Sequence, residues 1–578
     1  MNPLHLQSAS EPMSAAASLR EADLKAMMDR YGYSPEERAI IERENLLPLG
    51  LLGRLQAQYP QHSGLLETAP FLFTDHRRYA GLQGFRDVLA VLERNGIQIG
   101  AVRERELFIE TYRFLATRHA LNSINWQRFE TDSLFQLVFP QPGMMPAETV
   151  AAYLAAADDA GRQRIVEAHI REHSNPHDGN QLLNTPWLEG AAGEREFLAG
   201  SQHKYPQCQL IFDKSTQDCF AFCTYCFRHA QVRGDEDMFL QEDIGQVHAY
   251  LRQHPEITDI LITGGDAGYL PVARLRQYAL PLLSDPALLH VRTIRLGSRA
   301  LSYSPEMILS PKYDKMLDLF AELTNNGLQV AWMAHFSTPR EVLNPSTIAA
   351  IRRLQSRGVI IRSQSPIMKH ISLFLDEAGR VDVDRSAQNW IDLANLLATL
   401  RCGFHSMYCA RPTGEHHYFA APLADINRVA SKIHRSLASL NRPSRYISMT
   451  SSAGKISILG TVMVGGRKAL DINRVASKIH RSLASLNRPS RYISMTSSAG
   501  KISILGTVMV GGRKAFALKF TQGRNMEWLD QVFLAAYDEE QNTVDLLEPF
   551  DTPEFFFRGD ERAIEQALAA ALQDKEQE

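Results

Sequence analysis

The sequence predicts an α/β protein: an open, partial (β/α)6 barrel with a mostly helical N-terminal region and a small C-terminal α+β extension. Three observations predict it. From Gln209 onward, six short apolar runs alternate with amphipathic segments of helical period, the pattern of a parallel sheet with right-handed crossovers. Glycine and polar residues recur just after each run, where such a fold does its chemistry. Before residue 200 the pattern is helical almost throughout, and after residue 424 it changes again. The implied domains are 1–200, 201–424 and 425–578. A doubly wound sheet fits the same alternation, but six units suit an open barrel better than a closed one of eight strands.

In the N-terminal region, Ser34-Pro35-Glu36-Glu37 is a capping box with proline at the first helical position, opening a helix that runs to Glu44. Helical periodicity also marks Gly81 to Glu93 and Arg103 to Arg118. Nothing here carries obvious chemistry, so the region reads as a scaffold or an oligomer contact. The six expected strands are Gln209–Phe212, Asp259–Thr263, Val291–Leu296, Gln329–Phe336, Val359–Ser363 and Phe404–Tyr408. Helices are expected between them, among others at Asp243–Gln253, Lys315–Asn325, Pro345–Arg357 and Ser386–Leu400. Just after the strands come Cys219–Cys226, Gly264-Gly265-Asp266, Gly297-Ser298-Arg299, His335, Gln364, and Arg411 with Glu415 and His416.

The last third contains a tandem duplication. Asp425 to Ala469 recurs without a single change as Asp471 to Ala515, a period of 46. Solenoid repeats diverge and need three or more units to bury a core, so two unchanged copies indicate a recent duplication or a sequence error. The expectation is that one copy is a passenger. Its helix (425–440 or 471–486) and its strand (456–464 or 502–510) cannot both fill one place.

Composition bounds the rest. With 62 basic against 65 acidic residues, no nucleic-acid or membrane-surface footprint is expected. No stretch of eighteen apolar residues occurs, and the first twenty residues lack an apolar targeting core, so a cytoplasmic protein is expected. Six cysteines in 578 residues do not suggest a disulfide framework.

The chemistry is concentrated in Asp218-Cys219-Phe-Ala-Phe-Cys223-Thr-Tyr-Cys226. C-x3-C-x2-C supplies three thiolates from one loop, and no fourth cysteine follows closely. Three thiolates on a cubane iron–sulfur cluster leave one iron open to a further ligand. The alternative is a structural zinc site completed by His229, but closed zinc sites favour ligand pairs farther apart. The triplet resembles the signature of radical S-adenosylmethionine (SAM) enzymes, in which the open iron binds SAM. The resemblance makes the expected fold a radical SAM barrel.

Beyond the cysteines, the chain resembles the lysine 2,3-aminomutase family from about Gln202 to Lys501. The anchors are His203-Lys204-Tyr205-Pro206, Cys219–Cys226 with Arg228, Asp259-Ile-Leu-Ile-Thr-Gly-Gly-Asp266, Ile294-Arg-Leu-Gly-Ser-Arg299, His335-Phe336, Gln364-Ser365 and Ser498-Ala499-Gly500-Lys501. The resemblance implies an isomerase with three cofactors: a [4Fe-4S] cluster on Cys219, Cys223 and Cys226, SAM, and pyridoxal 5′-phosphate (PLP). It implies migration of an amino group from Cα to Cβ through a 5′-deoxyadenosyl radical and a PLP aldimine. By the same resemblance, Gly264, Gly265 and Asp266 face the amino end of SAM, and Ser298, Arg299, His335 and Gln364 line its remaining length. Lys204 and Tyr205 fall where the family binds the PLP phosphate, and Arg228 where it binds the substrate carboxylate.

The PLP lysine falls in Ser-Ser-Ala-Gly-Lys, which the duplication presents twice, ending at Lys455 and Lys501. Lys501 is favoured because only the second copy continues into a contiguous hairpin, 502–510 with 515–520. Lysine-acting members hold the distal ammonium with two aspartates. Here those positions align with Arg411 and with Ser448 or Ser494, which disfavours a cationic side chain and suits an acidic one such as glutamate. A family phosphate ligand is replaced by Cys208. Expected partners are a small amino-acid substrate and an electron donor such as flavodoxin or ferredoxin, with a homo-oligomer open. Two other readings stand beside this one: a radical SAM enzyme without PLP, and a zinc-stabilised module without catalysis.

Overall fold

A computed structural model describes residues 19–66, 71–173, 184–190, 192–205, 207–229, 240–410, 414–438 and 440–443, and beyond these several segments between 448 and 559. The N-terminal helices form where the sequence signals them. Ser34 Oγ accepts the Glu37 N–H at 3.2 Å and Glu37 accepts the Ser34 N–H at 2.7 Å, closing the capping box of helix Pro35–Arg43. Helix Gly81–Arg94 buries Gly84, Phe85, Val88 and Leu92, one stripe at helical spacing. The expected helix over 103–118 is shorter, ending at Thr111. Leu115–Ala116 instead forms a two-residue strand against Tyr79–Ala80, and a short helix follows at Arg118–Asn122. Tertiary pairing overrides helical period there, because Leu115 supplies a backbone acceptor to the cysteine loop, as described below.

Among the described residues the central sheet has thirteen strands. Numbered within it, they begin with β1 (Ser201–Tyr205), β2 (Cys208–Phe212), β3 (Asp259–Thr263), β4 (Thr293–Gly297), β5 (Gln329–Ala334), β6 (Ile360–Ile367) and β7 (Gly403–Cys409). All six expected strands are present as β2 to β7. Each is parallel to the next, in chain order, and β1 flanks β2 antiparallel. The C-terminal region adds a seventh parallel strand, β8 (Ser448–Thr450), through Tyr408 and Ser448. The sheet curls into a parallel half-barrel.

Period-two burial explains the layers. Ile260, Ile262, Ile294 and Leu296 are fully or almost fully buried. They share the core with Leu275 and Tyr278 of helix Val272–Ser284, and with Leu317, Phe320 and Leu323 of helix Asp314–Asn325. The alternate strand residues, among them Thr263, Arg295 and Gly297, are only partly buried. That leaves the opposite face and the strand ends for the site.

Past β8 the sheet continues through β9 (Lys455–Ser457), β10 (Ser494–Ser497), β11 (Gly500–Val510), β12 (Arg513–Gly523) and β13 (Val532–Ala536). The two copies of the duplication therefore occupy different places. The first supplies β8 and β9 beside the half-barrel, together with most of helix Leu423–Ser436. The second supplies β10, β11 and the turn at Gly511–Gly512, and its last residues open β12, most of which lies beyond the repeat. The second copy's expected helix lies outside the described residues.

Candidate active site

The cysteine loop begins at Asp213, whose fully buried carboxylate accepts Ser215 N–H (2.9 Å) and Tyr278 O–H (2.9 Å) and pairs with Arg274. That anchor fixes where the loop leaves β2. Gly264 and Gly265, at the end of β3, lie directly beneath it. A Cβ on Gly264 would come within 2.6 Å of Thr216 Oγ1 and Gln217 Nε2, and its φ of +139° is itself a glycine conformation. A Cβ on Gly265 would meet the Asp218 carbonyl oxygen at 2.5 Å. The Thr216 carbonyl accepts Asp266 N–H at 2.9 Å, locking the two strand ends together.

The N-terminal region holds the loop from the other side. Phe222 N–H donates to the Leu115 carbonyl (2.7 Å), Thr224 N–H to that of Leu137 (3.0 Å), and Thr224 Oγ1 to that of Gln136 (2.8 Å). Arg78 reaches Asp218 (2.5 Å) and the Cys219 carbonyl (3.3 Å), and Arg113 reaches Asp218 at 3.2 Å. Burial pushes the Asp218 carboxyl up, but the Arg78 hydrogen bond, the Cys219 N–H and the two guanidinium charges outweigh it and hold it below its ordinary value. None of these partners was readable from the sequence. The one hint was the charged residue before the first cysteine.

The three thiols lie close enough to act on one another. Burial raises Cys219 well above the usual thiol value, with the charges of Cys226, Asp266, Cys223 and Asp218 adding to it. Burial and then Cys223 raise Cys226 to about 12. Two groups face Cys223: Tyr303 Oη lies 3.0 Å from its Sγ, in a bond either atom could donate, and Arg299 Nη1 donates to it at 3.3 Å. Sequence reading missed Tyr303, which gives no signal beyond lying four residues past Arg299.

Arg299 organises the interior. It donates to Tyr225 Oη (2.8 Å) and to Glu341 (2.7 Å), whose other oxygen accepts Ser337 and Thr338 N–H at 2.6 and 3.1 Å. Tyr225 O–H in turn meets His335 Nε2 at 2.9 Å. Burial and the Arg299 charge hold His335 well below its ordinary value, so the ring is neutral, and its tautomer sets whether Nε2 accepts from Tyr225 or donates to it. Asp266 is buried, accepting Gly268 and Arg299 N–H at 2.8 Å each, and burial raises it to about 6 despite these donors and Ser298. Ser298 Oγ also caps Ala300 N–H at 2.9 Å. Gln364 sits at a register shift in β6 and accepts from Tyr408 O–H at 3.1 Å.

The remaining expected residues are less gathered. Lys204 is buried on β1, with Tyr205 beside it partly buried. The Arg228 guanidinium stacks over Phe212, 4.4 Å from the ring centre. Lys455 and Lys501 are direct backbone partners in parallel register, and their side chains lie outside the described residues. So do Arg411 and the side chains of Ser448 and Ser494.

These positions can be set against known proteins. No protein-family model matches the chain. A protein of Aquifex aeolicus (strain VF5) described as "Putative L-lysine 2,3-aminomutase" is 28% identical over 297 residues, 50% of this chain and 74% of that protein. The L-lysine 2,3-aminomutase of Clostridium subterminale is 28% identical over 175 residues, 30% of this chain and 39% of that protein. The glutamate 2,3-aminomutase of Clostridioides difficile is 29% identical over 170 residues, 29% of this chain and 37% of that protein. The chain is similar to the lysine 2,3-aminomutases over about half of its length. It spans well under half the length of the last two relatives. The likeness to these relatives supports a [4Fe-4S] cluster and SAM as cofactors.

As placed, the cysteine loop fits such a cluster better than it fits one zinc ion. Two sulfurs bound to one zinc are at most about 4.6 Å apart. Among the described residues, only His203, His254 and Glu256 bring three possible ligand atoms within 4.8 Å of one another, so the three thiols are spread wider than one ion allows. His229, the fourth zinc ligand considered, packs edge-on against Tyr112 with ring centres 4.9 Å apart. Beside the loop, Arg299 Nε is buried without a partner among the described residues. Thiols this hard to ionise bare are the kind that a bound iron deprotonates. No helix among the described residues is long and apolar enough to cross a membrane.

Proposed function

We propose that this protein is a radical SAM, PLP-dependent 2,3-aminomutase, moving the α-amino group of an amino acid with a non-cationic side chain to its β-carbon. The observation that supports it most is the three-thiol loop, packed onto Gly264 and Gly265 and bonded through Cys223 to Arg299 and Tyr303. When bound, the cluster and SAM supply a hydrogen-abstracting radical, and PLP supplies the carbonyl that carries the migrating nitrogen.

Cys219, Cys223 and Cys226 hold the cluster. Asp266, raised to about 6, is still mainly ionised at neutral pH and offers its charge to the ammonium of SAM. Arg299, held by Glu341, keeps a buried Nε without a partner among the described residues and orients Tyr225, which bonds to His335. Gln364, turned by the β6 bulge, lines the far side. Phe220 and Phe222, both buried, keep the loop dry, which a radical requires. Lys204 and Tyr205 are assigned to the PLP phosphate, Arg228 to the substrate carboxylate through two parallel hydrogen bonds, and Lys501 or Lys455 to the PLP Schiff base. Arg411 is assigned to an acidic substrate side chain.

Anaerobic purification tests the cluster: a brown protein with sulfide-linked iron is expected, and a colourless zinc protein overturns the proposal. Borohydride reduction with PLP is expected to leave a pyridoxyl adduct on lysine. The two copies give identical tryptic peptides around that lysine, so Lys455→Ala and Lys501→Ala are compared to place it. Turnover of glutamate over lysine is expected, and efficient lysine turnover removes the substrate assignment.

A further inference from the structure

We propose that His203, His254 and Glu256 form a binding site for a divalent metal ion of the zinc type, at the end of the half-barrel opposite the cysteines. His203 lies on β1, His254 ends helix Ile244–Gln253, and Glu256 lies in the turn that leads to the first residue of β3. Their ligand atoms all lie within 4.8 Å of one another.

The geometry is set by Tyr250, which is buried. Its hydroxyl lies 2.7 Å from His203 Nδ1, and its ring lies against that of His254 with centres 4.1 Å apart. A metal-binding histidine usually spends its second nitrogen on such a partner, which fixes the tautomer and aims the other nitrogen. The two imidazole centres are 5.3 Å apart, with planes at 79°. Two rings bound through nitrogen at about 2.1 Å to one tetrahedral ion have centres about 5.2 Å apart. Glu256 Oε1 lies 2.8 Å from His254 Nδ1, close enough for that nitrogen and that oxygen to bind the same ion. The side chains of His254 and Glu256 are 30% and 44% exposed, so an ion enters from solvent and water completes the tetrahedron. Two imidazoles and one carboxylate, with no sulfur, suit zinc rather than an iron–sulfur cluster. The ion would pin β1, the edge strand that carries Lys204 and Tyr205, to the turn before β3.

The test uses the full chain with its cluster, dialysed against micromolar zinc sulfate under anaerobic conditions. Zinc and iron per chain are measured by plasma mass spectrometry, and the zinc environment by X-ray absorption. One zinc per chain with only nitrogen and oxygen neighbours is expected. His203→Ala and His254→Ala are each expected to lose it with iron content unchanged, and Tyr250→Phe to weaken it about tenfold. No retained zinc in the wild type, sulfur among the neighbours, or full retention by His254→Ala would overturn the site.

Discussion

The Tyr303 hydroxyl lies 3.0 Å from the sulfur of Cys223, a sulfur that also faces the Arg299 guanidinium. With Cys223 as a cluster thiolate, both groups would donate to its sulfur, making that corner the most electron-withdrawn. Hydrogen bonds to cluster sulfurs raise the reduction potential.

Tyr303→Phe removes one donor without changing the shape of the pocket. The cluster potential is expected to fall by on the order of 50 mV. Redox titration followed by electron paramagnetic resonance checks it, and an unchanged potential counts against a hydrogen bond to the sulfur.

Gly265→Ala drives a methyl group into the Asp218 carbonyl, only 2.5 Å from where the Cβ would sit. The neighbour is backbone, so the cysteine loop has to move. Iron content per chain is expected to fall several-fold. Gly50→Ala, with no atom within 4 Å of its Cβ, is the control and keeps its iron.

Asp266 gives a pH dependence with a definite sign. Its folded-state value is about 6, above the ordinary 3.8, because burial disfavours the charge. The folded apo-chain therefore binds this proton more tightly than the unfolded chain. The stabilising contribution is full below pH ~4 and is lost as pH rises through ~6, a change of about 3 kcal/mol. Asp266→Asn removes it, so the difference in melting temperature between the two apo-proteins should change across that window. A constant difference from pH 4 to 7 contradicts the assignment.

Deleting residues 425–470 leaves one copy of the duplicated segment and joins Ala424 to Asp471. The shortened chain is expected to fold, with the β11–β12 hairpin taking the place next to β7 that β8 and β9 now hold. Limited proteolysis and circular dichroism check it. Loss of the folded half-barrel would show that both copies are required.

The barrel was legible because each strand is a short apolar run closed by polar or glycine residues: Asp259–Thr263 was placed to the residue, and Gln329–Phe336 ran two residues past its observed end. The order of the site was legible for the same reason, since strand ends must gather at one rim. What the sequence could not show is what crosses between distant segments. Leu115 and Leu137 receive the cysteine loop through backbone carbonyls, which have no residue signature. Arg78 and Tyr303 reach the loop from far along the chain, and ordinary surface or core roles describe them equally well beforehand. The Arg103–Arg118 segment kept helical period in its side chains while its backbone was claimed by a strand.

Lys455 facing Lys501 across one ladder, with Ile456 facing Ser494, means that identical stretches of polypeptide lie as neighbours in one sheet. Either stretch satisfies the berth beside Tyr408 equally well, because no side chain distinguishes them. Only the tether differs: the second copy reaches that berth over roughly twice the span, a penalty of about 0.6 kcal/mol for each doubling. Chain entropy alone therefore gives the first copy only a slight advantage at that berth.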